Sequence, residues 1–349
     1  MVELTQDLSE TYISLSTDAC CKKHDREPPN MGLLPSEIDQ FHDQGFIVKK
    51  NVYSSADLQP LKDGLTGAIQ RKCDELVAEN LLDRDFSEEP FETRLGRIYH
   101  HNPDSGQKVI DSIWSGKFHG SGMLSALRHP TLIECIQDLI GPDVMATSIY
   151  RIRPKIPMYE AGEVPWHQDL GYGLAHCAEN LVITCWIPFV DVNAENGCLW
   201  VIPDANHSGI IRHYSGGHAN YLEIAPEDVP DGAIPIEMDA GSVLLLTGTA
   251  PHASFENKSD IVRWSMDLRY QDFEVPNNWN EVPEDYTPER DPVTMACNPG
   301  EAYFVIHDSK HPEHDMTDPE AFAELRSVWE NITIKPPGRW TPLAERTTK

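Results

Sequence analysis

The 349-residue sequence is short of basic residues: 28 Lys and Arg stand against 56 Asp and Glu, which gives a formal net charge of −28. A chain with this charge repels phosphate backbones and anionic lipid surfaces. We therefore expect a small molecule as the partner, and neither nucleic acid nor a membrane. The oligomeric state is left open by the composition.

Long apolar runs are also missing. No stretch of about 18 apolar residues occurs, so we expect no membrane-spanning helix. Residues 1–20 are polar and acidic, whereas a secretory signal is basic and then hydrophobic. These two absences predict a cytoplasmic protein.

The eight cysteines are scattered along the chain, and none of them forms a Cys-x-x-Cys pair. This argues against a zinc ribbon and, in a chain of this length, against a disulfide scaffold. We expect most of the cysteines to be small core residues.

Helical patterns are found only after residue 32. Residues 1–32 lack hydrophobic periodicity, so we interpret them as a disordered or mobile tail before a single domain at 33–349. Pro35 opens a short helix that Gly45 stops, and a longer helix follows Ser54. A third helix is predicted at about 130–140. The longer helix has apolar residues spaced by three and four, namely Leu58, Leu61, Leu65, Ile69, Cys73 and Val77.

Short β-type runs separated by Gly, Pro and Asn fill residues 144–271, which predicts a mainly β fold, either a barrel or a sandwich, with flanking helices. Asn196-Gly197 suits a hairpin turn between the runs on either side of it. Ser242–Thr247 is apolar on both faces, as expected for a strand between two neighbours. The acidic segment 272–349 is interpreted as covering loops and a helix.

The run from Ile261 to Gln271 alternates most clearly. Its even-numbered positions are bulky, and its odd-numbered positions include Arg263, Asp267 and Arg269. Side chains two apart on a strand point to the same face. Both arginines are therefore predicted on one polar face, which either meets solvent or lines a polar cavity.

His167-Gln168-Asp169 is a candidate metal motif, because an imidazole and a carboxylate two residues apart at a strand end point to the same side. Such a triplet is expected about once by chance in a chain of this composition. His252, just beyond the apolar run at 242–247, can supply a third ligand. Two His and one carboxylate leave positions open on Fe(II), as in non-haem oxygenases. The alternative of two unrelated histidines stays open.

Arg263 lies eleven residues after His252. A guanidinium there can grip the far carboxylate of a dicarboxylic keto acid while the keto-acid end chelates the metal. The sequence thus links a possible metal site to a possible organic-acid site.

The sequence resembles the phytanoyl-CoA dioxygenase-like branch of the Fe(II)- and 2-oxoglutarate-dependent dioxygenases over about residues 34–271. The motifs that carry this resemblance are Phe41-His-Asp-Gln-Gly-Phe-Ile-Val48, Val164-Pro-Trp-His-Gln-Asp169, Cys185-Trp-Ile-Pro-Phe-Val-Asp191, Asn196-Gly-Cys-Leu199, Pro203 to Ser208, Pro251-His-Ala-Ser254, Asn257-Lys-Ser259 and Arg263-Trp264.

The resemblance implies a double-stranded β-helix, the jelly-roll or cupin-like core. It implies that His167, Asp169 and His252 bind Fe(II) and that Arg263 binds 2-oxoglutarate, with Ser254 as a second contact. O2 is the other co-substrate of this family.

Further side chains are candidates for supporting roles. Trp186 is expected in the core with one edge near the co-substrate. Arg269, Trp166, Gln168 and Tyr172 are candidate substrate contacts, each with a structural alternative: ion pairing for Arg269 and aromatic or barrel packing for the others. His207 is expected to support its loop, and His307, His311 and His314 are expected in a solvated loop.

The function expected from this combination is hydroxylation of a small organic metabolite with release of succinate and CO2. The net charge argues against a substrate that carries CoA phosphates. Two alternatives remain: a non-catalytic cupin-like protein that binds a metal or small molecule, and desaturation or cyclisation by the same iron. An intact Arg263 argues against the first, since a metal site alone needs no keto-acid clamp.

Overall fold

The computed structural model describes residues 32–113, 118–147, 150–159, 162–173, 181–218, 221–272, 303–330 and 340–346. The predicted tail at 1–32 lies almost entirely outside this part of the chain, as does much of the acidic segment at 272–349. Four of the eight cysteines are described, and all four are buried free thiols, as predicted: Cys73, Cys135, Cys185 and Cys198.

Among the described residues, six helices precede the β region: α1 Pro35–Gln44, α2 Ser55–Ala78, α3 Phe91–His101, α4 Pro103–Ile113, α5 Ser121–Leu127 and α6 Pro130–Ile140. The three predicted helices are confirmed. Gly45 ends α1 with a φ of 82°, a left-handed conformation that favours glycine. The Ser54 side chain accepts a hydrogen bond from the Asp57 backbone N–H and so caps α2.

Helices α3, α4 and α5 were not predicted, and each of them contains a glycine, a poor helix former. Packing explains Gly106 in α4: a Cβ there would lie 2.5 Å from the Tyr99 Cα of α3. The close approach of the two helices therefore requires a residue that is a poor helix former.

The strands form two antiparallel sheets. The larger sheet has the order β1-β10-β5-β12-β2-β13, with β3 also paired to β12, and the smaller has the order β4-β11-β6-β9. Strands β7 and β8 form a separate hairpin. The bounds are β1 Phe46–Lys49, β2 Val144–Thr147, β3 Arg151–Lys155, β4 Val164–His167, β5 Ile183–Pro188, β6 Leu199–Val201, β7 His213–Tyr214, β8 Glu223–Ile224, β9 Ile234–Ile236, β10 Val243–Thr247, β11 His252–Ser254, β12 Arg263–Asp272 and β13 Tyr303–His307.

This architecture is a jelly-roll core with helices beside it, as predicted. Strand β10 lies between β1 and β5 and is buried on both faces, also as predicted. One apolar cluster joins the two sheets through residues such as Phe46, Leu199 and Leu246. A second, larger cluster joins the larger sheet to the helices.

The predicted hairpin at Asn196-Gly197 is wrong. Strand β5, before this turn, pairs with β10 and β12, and β6, after it, pairs with β11 and β9 in the other sheet. Because β5 has neighbours on both sides, it offers no edge to β6. Gly197 does have a positive φ of 83°. The predicted turn conformation is therefore confirmed, and only the predicted strand pairing is wrong.

The C-terminal part of the chain was predicted only to cover the core, but it also contributes a strand to the larger sheet. Strand β13 pairs with β2 at the edge of the larger sheet, outside the predicted core at 144–271. Helix α7 spans Pro319–Glu330, within the segment for which covering loops and a helix were predicted. None of the helices in the described part of the chain has the length and apolar character to cross a membrane.

Candidate functional site

His167 on β4 and His252 on β11 lie side by side on neighbouring strands of the smaller sheet. They are Cα partners in the pairing of β4 with β11, and their ring centroids lie 4.2 Å apart. His167 Nδ1 is 2.9 Å from the Pro165 carbonyl oxygen, and His252 Nδ1 is 3.0 Å from the Ala250 carbonyl oxygen. A carbonyl only accepts, so each Nδ1 carries the hydrogen and each Nε2 keeps its lone pair. Both rings are thus oriented as metal ligands are.

Asp169 completes the cluster. It begins a short 3-10 helix directly after β4, and its Oδ1 is 3.8 Å from His167 Nε2. One ligand atom from each of His167, Asp169 and His252 lies within 4.8 Å of the others. All three residues are buried, so the cluster is enclosed by protein.

The donor set of this cluster fits Fe(II). Two imidazoles and one carboxylate form the facial arrangement that leaves coordination positions open for other ligands. Burial and the neighbouring His252 lower the pKa of His167 to about 3. His167 is therefore neutral near pH 7, the form that binds a metal.

Both carboxylate oxygens of Asp169 are held by the larger sheet. Oδ1 accepts a hydrogen bond of 2.8 Å from Arg269 Nη2, and Oδ2 accepts one from the Thr184 hydroxyl. Thr184 on β5 and Arg269 on β12 are Cα partners. A single cross-strand pair therefore contacts both oxygens, and we name this pair the carboxylate cradle. Burial alone would raise the pKa of Asp169, but the Arg269 guanidinium and the two imidazoles hold it below its ordinary value.

Asp267 and Arg153 extend this contact into a chain of charges. Arg269 Nη1 donates to Asp267 Oδ2 at 3.2 Å, and Arg153 Nε donates to Asp267 Oδ1 at 2.7 Å. Arg153 Nη1 in turn donates to the Tyr221 hydroxyl at 3.1 Å. Arg269 is therefore fixed by two carboxylates, one on each side.

Arg263, on the same face of β12, has a different environment. Its Nη1 donates to the Ser265 hydroxyl at 2.5 Å and its Nη2 to the Ser254 hydroxyl at 3.3 Å. Its guanidinium carbon lies 5.2 Å from the ring centroid of Trp186. Among the described residues no carboxylate pairs with it, and its buried Nε has no hydrogen-bond partner. Burial and the charge of Arg153 lower the pKa of Arg263 to about 9.

One pocket joins the His-Asp-His cluster to Arg263. Its empty volume is about 440 Å³, and its lining includes all three candidate ligands together with Arg263, Ser254 and Trp186. The predicted polar face of β12 therefore lines a cavity and does not meet solvent. The even-numbered side chains of the same strand lie in the larger apolar cluster: Trp264, Met266, Leu268 and Tyr270.

The four candidate substrate contacts have different surroundings in the structure. Gln168 does not line the pocket: its Nε2 donates to the carbonyls of Gly209 and Thr249, and its Oε1 accepts from the Ile211 backbone. Its amide links the candidate metal motif to two loops, and a substrate contact by Gln168 stays a prediction.

Trp166 and Tyr172 are also absent from the pocket lining. Trp166 packs edge-on against Phe255. The Tyr172 hydroxyl accepts from the Leu222 backbone, and its ring packs edge-on against His167. Both residues therefore pack as the structural alternative described. Arg269 does line the pocket, and it forms the ion pairs that its alternative predicted.

The other candidate histidines lie away from the pocket. His207 Nε2 is 2.9 Å from the Asp43 carbonyl oxygen, which ties its loop to the end of α1. His314 pairs with Asp308, and His311 is exposed, so these two form a surface cluster. His307 is the last residue of β13 and not part of a loop.

Three side chains near the His-Asp-His cluster were missed by sequence reasoning: Thr184, Arg153 and His213. Two of them had a signal in the sequence. Period-two alternation along β5 places Thr184 on the same face as Trp186, and the same alternation in Arg151–Lys155 allows Arg153 to face the pocket. His213 is buried, and its Nε2 accepts a 2.9 Å hydrogen bond from the backbone N–H of Gln168. Nothing in the sequence near His213 indicated that contact.

The chain is similar to known proteins in sequence and in structure. The sequence model described as phytanoyl-CoA dioxygenase (PhyH) matches residues 41–265. The chain is 21% identical over 266 residues to "Phytanoyl-CoA dioxygenase" of Arabidopsis thaliana, covering 68% of this chain and 88% of that protein. It is 27% identical over 288 residues to "Phytanoyl-CoA dioxygenase domain-containing protein 1" of Danio rerio, covering 72% and 96%.

Among solved structures, the chain matches "non-heme monooxygenase; ThoJ apo" with a TM-score of 0.49 and 17% identity, over 84% of this chain and 94% of that one. It also matches EctD from S. alaskensis with 2-oxoglutarate and 5-hydroxyectoine, with a TM-score of 0.43 and 18% identity, over 73% and 82%.

Proposed function

Because this chain belongs to the phytanoyl-CoA dioxygenase (PhyH) family of Fe(II)- and 2-oxoglutarate-dependent oxygenases, we propose that it hydroxylates a small organic molecule with release of succinate and CO2. The observation that carries this proposal is a single pocket with a His-Asp-His cluster at one end and, at the other, a buried arginine that pairs with no described carboxylate.

In this proposal His167, Asp169 and His252 hold Fe(II). When bound, Fe(II) supplies the reduction of O2 coupled to oxidative decarboxylation of the keto acid, which no side chain here can supply. The protein contributes orientation. The two backbone carbonyls at Pro165 and Ala250 keep both imidazoles turned with Nε2 toward the ligand position.

Arg263 is assigned to the far carboxylate of 2-oxoglutarate. An uncompensated buried guanidinium is costly, and a carboxylate placed against it restores the missing charge partner with two parallel hydrogen bonds. Ser254 supplies a hydroxyl beside Nη2, and the Trp186 ring stacks near the guanidinium. The apolar side chains of Val164, Leu199 and Leu246 also line the pocket and limit water there.

Anaerobic spectroscopy tests the proposal. Fe(II) and then 2-oxoglutarate are added without oxygen, and we expect a visible metal-to-ligand charge-transfer band in the wild type. His167→Ala should lose the band. His207→Ala, which removes a histidine outside the pocket, should keep it. No band in the wild type, or a full band in His167→Ala, would contradict the assignment. Succinate release under oxygen then identifies substrates.

A further inference from the structure

The carboxylate cradle, Thr184 and Arg269, has a geometry that suits one task. Arg269 contacts Oδ1 of Asp169 and Thr184 contacts Oδ2, so the carboxylate cannot turn about its Cβ–Cγ bond without breaking both contacts. We propose that Arg269 is a positioning residue that fixes Asp169 as a metal ligand, with Thr184 as its partner. This inference rests on the proposed function of the same site.

Arg269 is itself held in place from the opposite side. Its Nη1 donates to Asp267 at 3.2 Å, and Asp267 is held by Arg153 at 2.7 Å. All these side chains are at least four-fifths buried. Ion pairs with so little water around them keep one geometry, whereas exposed pairs exchange. The guanidinium is thus a rigid support for Asp169.

A different role for Arg269 is pure charge balance, and the two roles predict opposite signs. If the guanidinium only neutralised the two carboxylates, removing it would leave a more negative pocket, and a divalent cation would bind more tightly. If it positions Asp169, removing it lets the carboxylate turn away, and the cation binds more weakly. Metal affinity therefore separates positioning from charge balance without any measurement of turnover.

The experiment measures Co(II) binding by calorimetry and by its visible d–d spectrum, on the full chain without 2-oxoglutarate. Groups that support a metal ligand typically contribute about 10- to 100-fold in affinity. We expect Arg269→Gln to bind Co(II) about 10-fold or more weakly and to change the band shape. Arg269→Lys, which keeps the charge and can reach one carboxylate, should recover part of the affinity.

Arg151→Gln is the matched control. Arg151 is the Cα partner of Asp267 on β3, donates to the Tyr150 carbonyl and does not line the pocket. This variant removes an arginine charge from the same neighbourhood and should leave Co(II) affinity unchanged. Circular dichroism and melting curves verify that each variant is folded. If Arg269→Gln fails to fold, Thr184→Val carries the test, since it keeps the shape and removes the bond to Oδ2.

Equal or tighter Co(II) binding by a folded Arg269→Gln would overturn the inference, and so would equal binding by Thr184→Val when that variant carries the test. An equal loss in Arg151→Gln would also overturn it, because the loss would then not depend on contact with the Asp169 carboxylate. These results differ from failure of the proposed function, in which the wild type binds no Co(II) or shows no charge-transfer band.

Discussion

Arg263 and Arg269 share one face of β12 and are both buried, yet their surroundings differ. Arg269 is paired with two carboxylates, Asp169 and Asp267. Arg263 contacts the Ser265 and Ser254 hydroxyls and the Trp186 ring, and no carboxylate in the described part of the chain forms an ion pair with it. Burial lowers the pKa of Arg263. Burial acts on Arg269 in the same direction, but its two carboxylates outweigh it and raise the pKa.

The comparison indicates that buried arginines on one strand can have two different roles. A buried charge with its counter-ions present is fixed, and it supports its neighbours. A buried charge that lacks a counter-ion is unfavourable until an anion arrives, which makes it a binding group. We therefore assign the Arg269 end of the pocket to the metal and the Arg263 end to the keto acid.

The largest expected effect follows from Asp267→Asn, which removes the carboxylate shared by Arg153 and Arg269. Breaking a buried ion pair costs about 3–5 kcal/mol, because a charge is left without its partner. We expect the free energy of unfolding in urea to fall by about 3 kcal/mol. Asp260→Asn, at an exposed position, should change it by less than about 0.5 kcal/mol. Equal stability of the two variants would contradict the assigned role of Asp267.

The Asp267→Asn variant also gives a pH test of stability. Burial acts to raise the pKa of Asp267, but Arg153 and Arg269 hold it below the ordinary value of 3.8. Its contribution is therefore complete above that value and is lost as the pH falls through the lower, folded-state pKa. The stability difference between wild type and Asp267→Asn should shrink as a urea titration series is carried to acid pH. A constant difference would mean that the carboxylate charge is irrelevant.

Asp169→Ala removes the proposed metal ligand whose carboxylate contacts the larger sheet. We expect Co(II) affinity to fall by more than about 100-fold, beyond the range found for groups that only support a ligand. Calorimetry measures the change, with His207→Ala as the control outside the pocket. A loss of less than tenfold would mean that Asp169 is not a ligand.

Arg263→Gln should weaken 2-oxoglutarate binding about 30-fold or more, since losing one partner of a buried charged contact costs about 2 kcal/mol or more. The keto acid is titrated into the Co(II)-loaded protein. Co(II) affinity itself should not change. A variant with unaltered keto-acid affinity would show that the far carboxylate binds elsewhere.

The smallest effect is expected at Ser254, whose hydroxyl lies between Arg263 and the Gly197 carbonyl. A neutral hydrogen bond is worth about 1 kcal/mol, so Ser254→Ala should raise the KM for 2-oxoglutarate about fivefold. Steady-state succinate release measures it. A loss as large as that of Arg263→Gln would give Ser254 a larger role than the geometry supports.

Much of the fold could be predicted because it depends on local pattern. The buried stripe of α2 and the alternation in β12 are periodicities within one element. The turn at Gly197 shows the limit of such reasoning. Its conformation follows from the local sequence, but whether β5 and β6 pair depends on which other strands occupy the two edges of β5, and that is a property of the whole sheet.

The site divides in the same way. His167, Asp169, His252 and Arg263 could be proposed from short motifs and spacing. The contact of Thr184 and Arg269 with Asp169 could not, because it depends on the register between two strands distant in sequence. The contacts of Gln168 could not be predicted for a related reason: its amide bonds to loops that only the folded chain brings near the candidate metal ligands.

The most direct test of the assigned roles measures two affinities on two variants. Co(II) and 2-oxoglutarate are titrated in turn into Arg263→Gln and Arg269→Gln. We predict that Arg263→Gln binds Co(II) as the wild type does and has lost most of its affinity for the keto acid, whereas Arg269→Gln is already impaired in binding Co(II). If both variants lost the same affinity, the two ends of the pocket would not have separate functions.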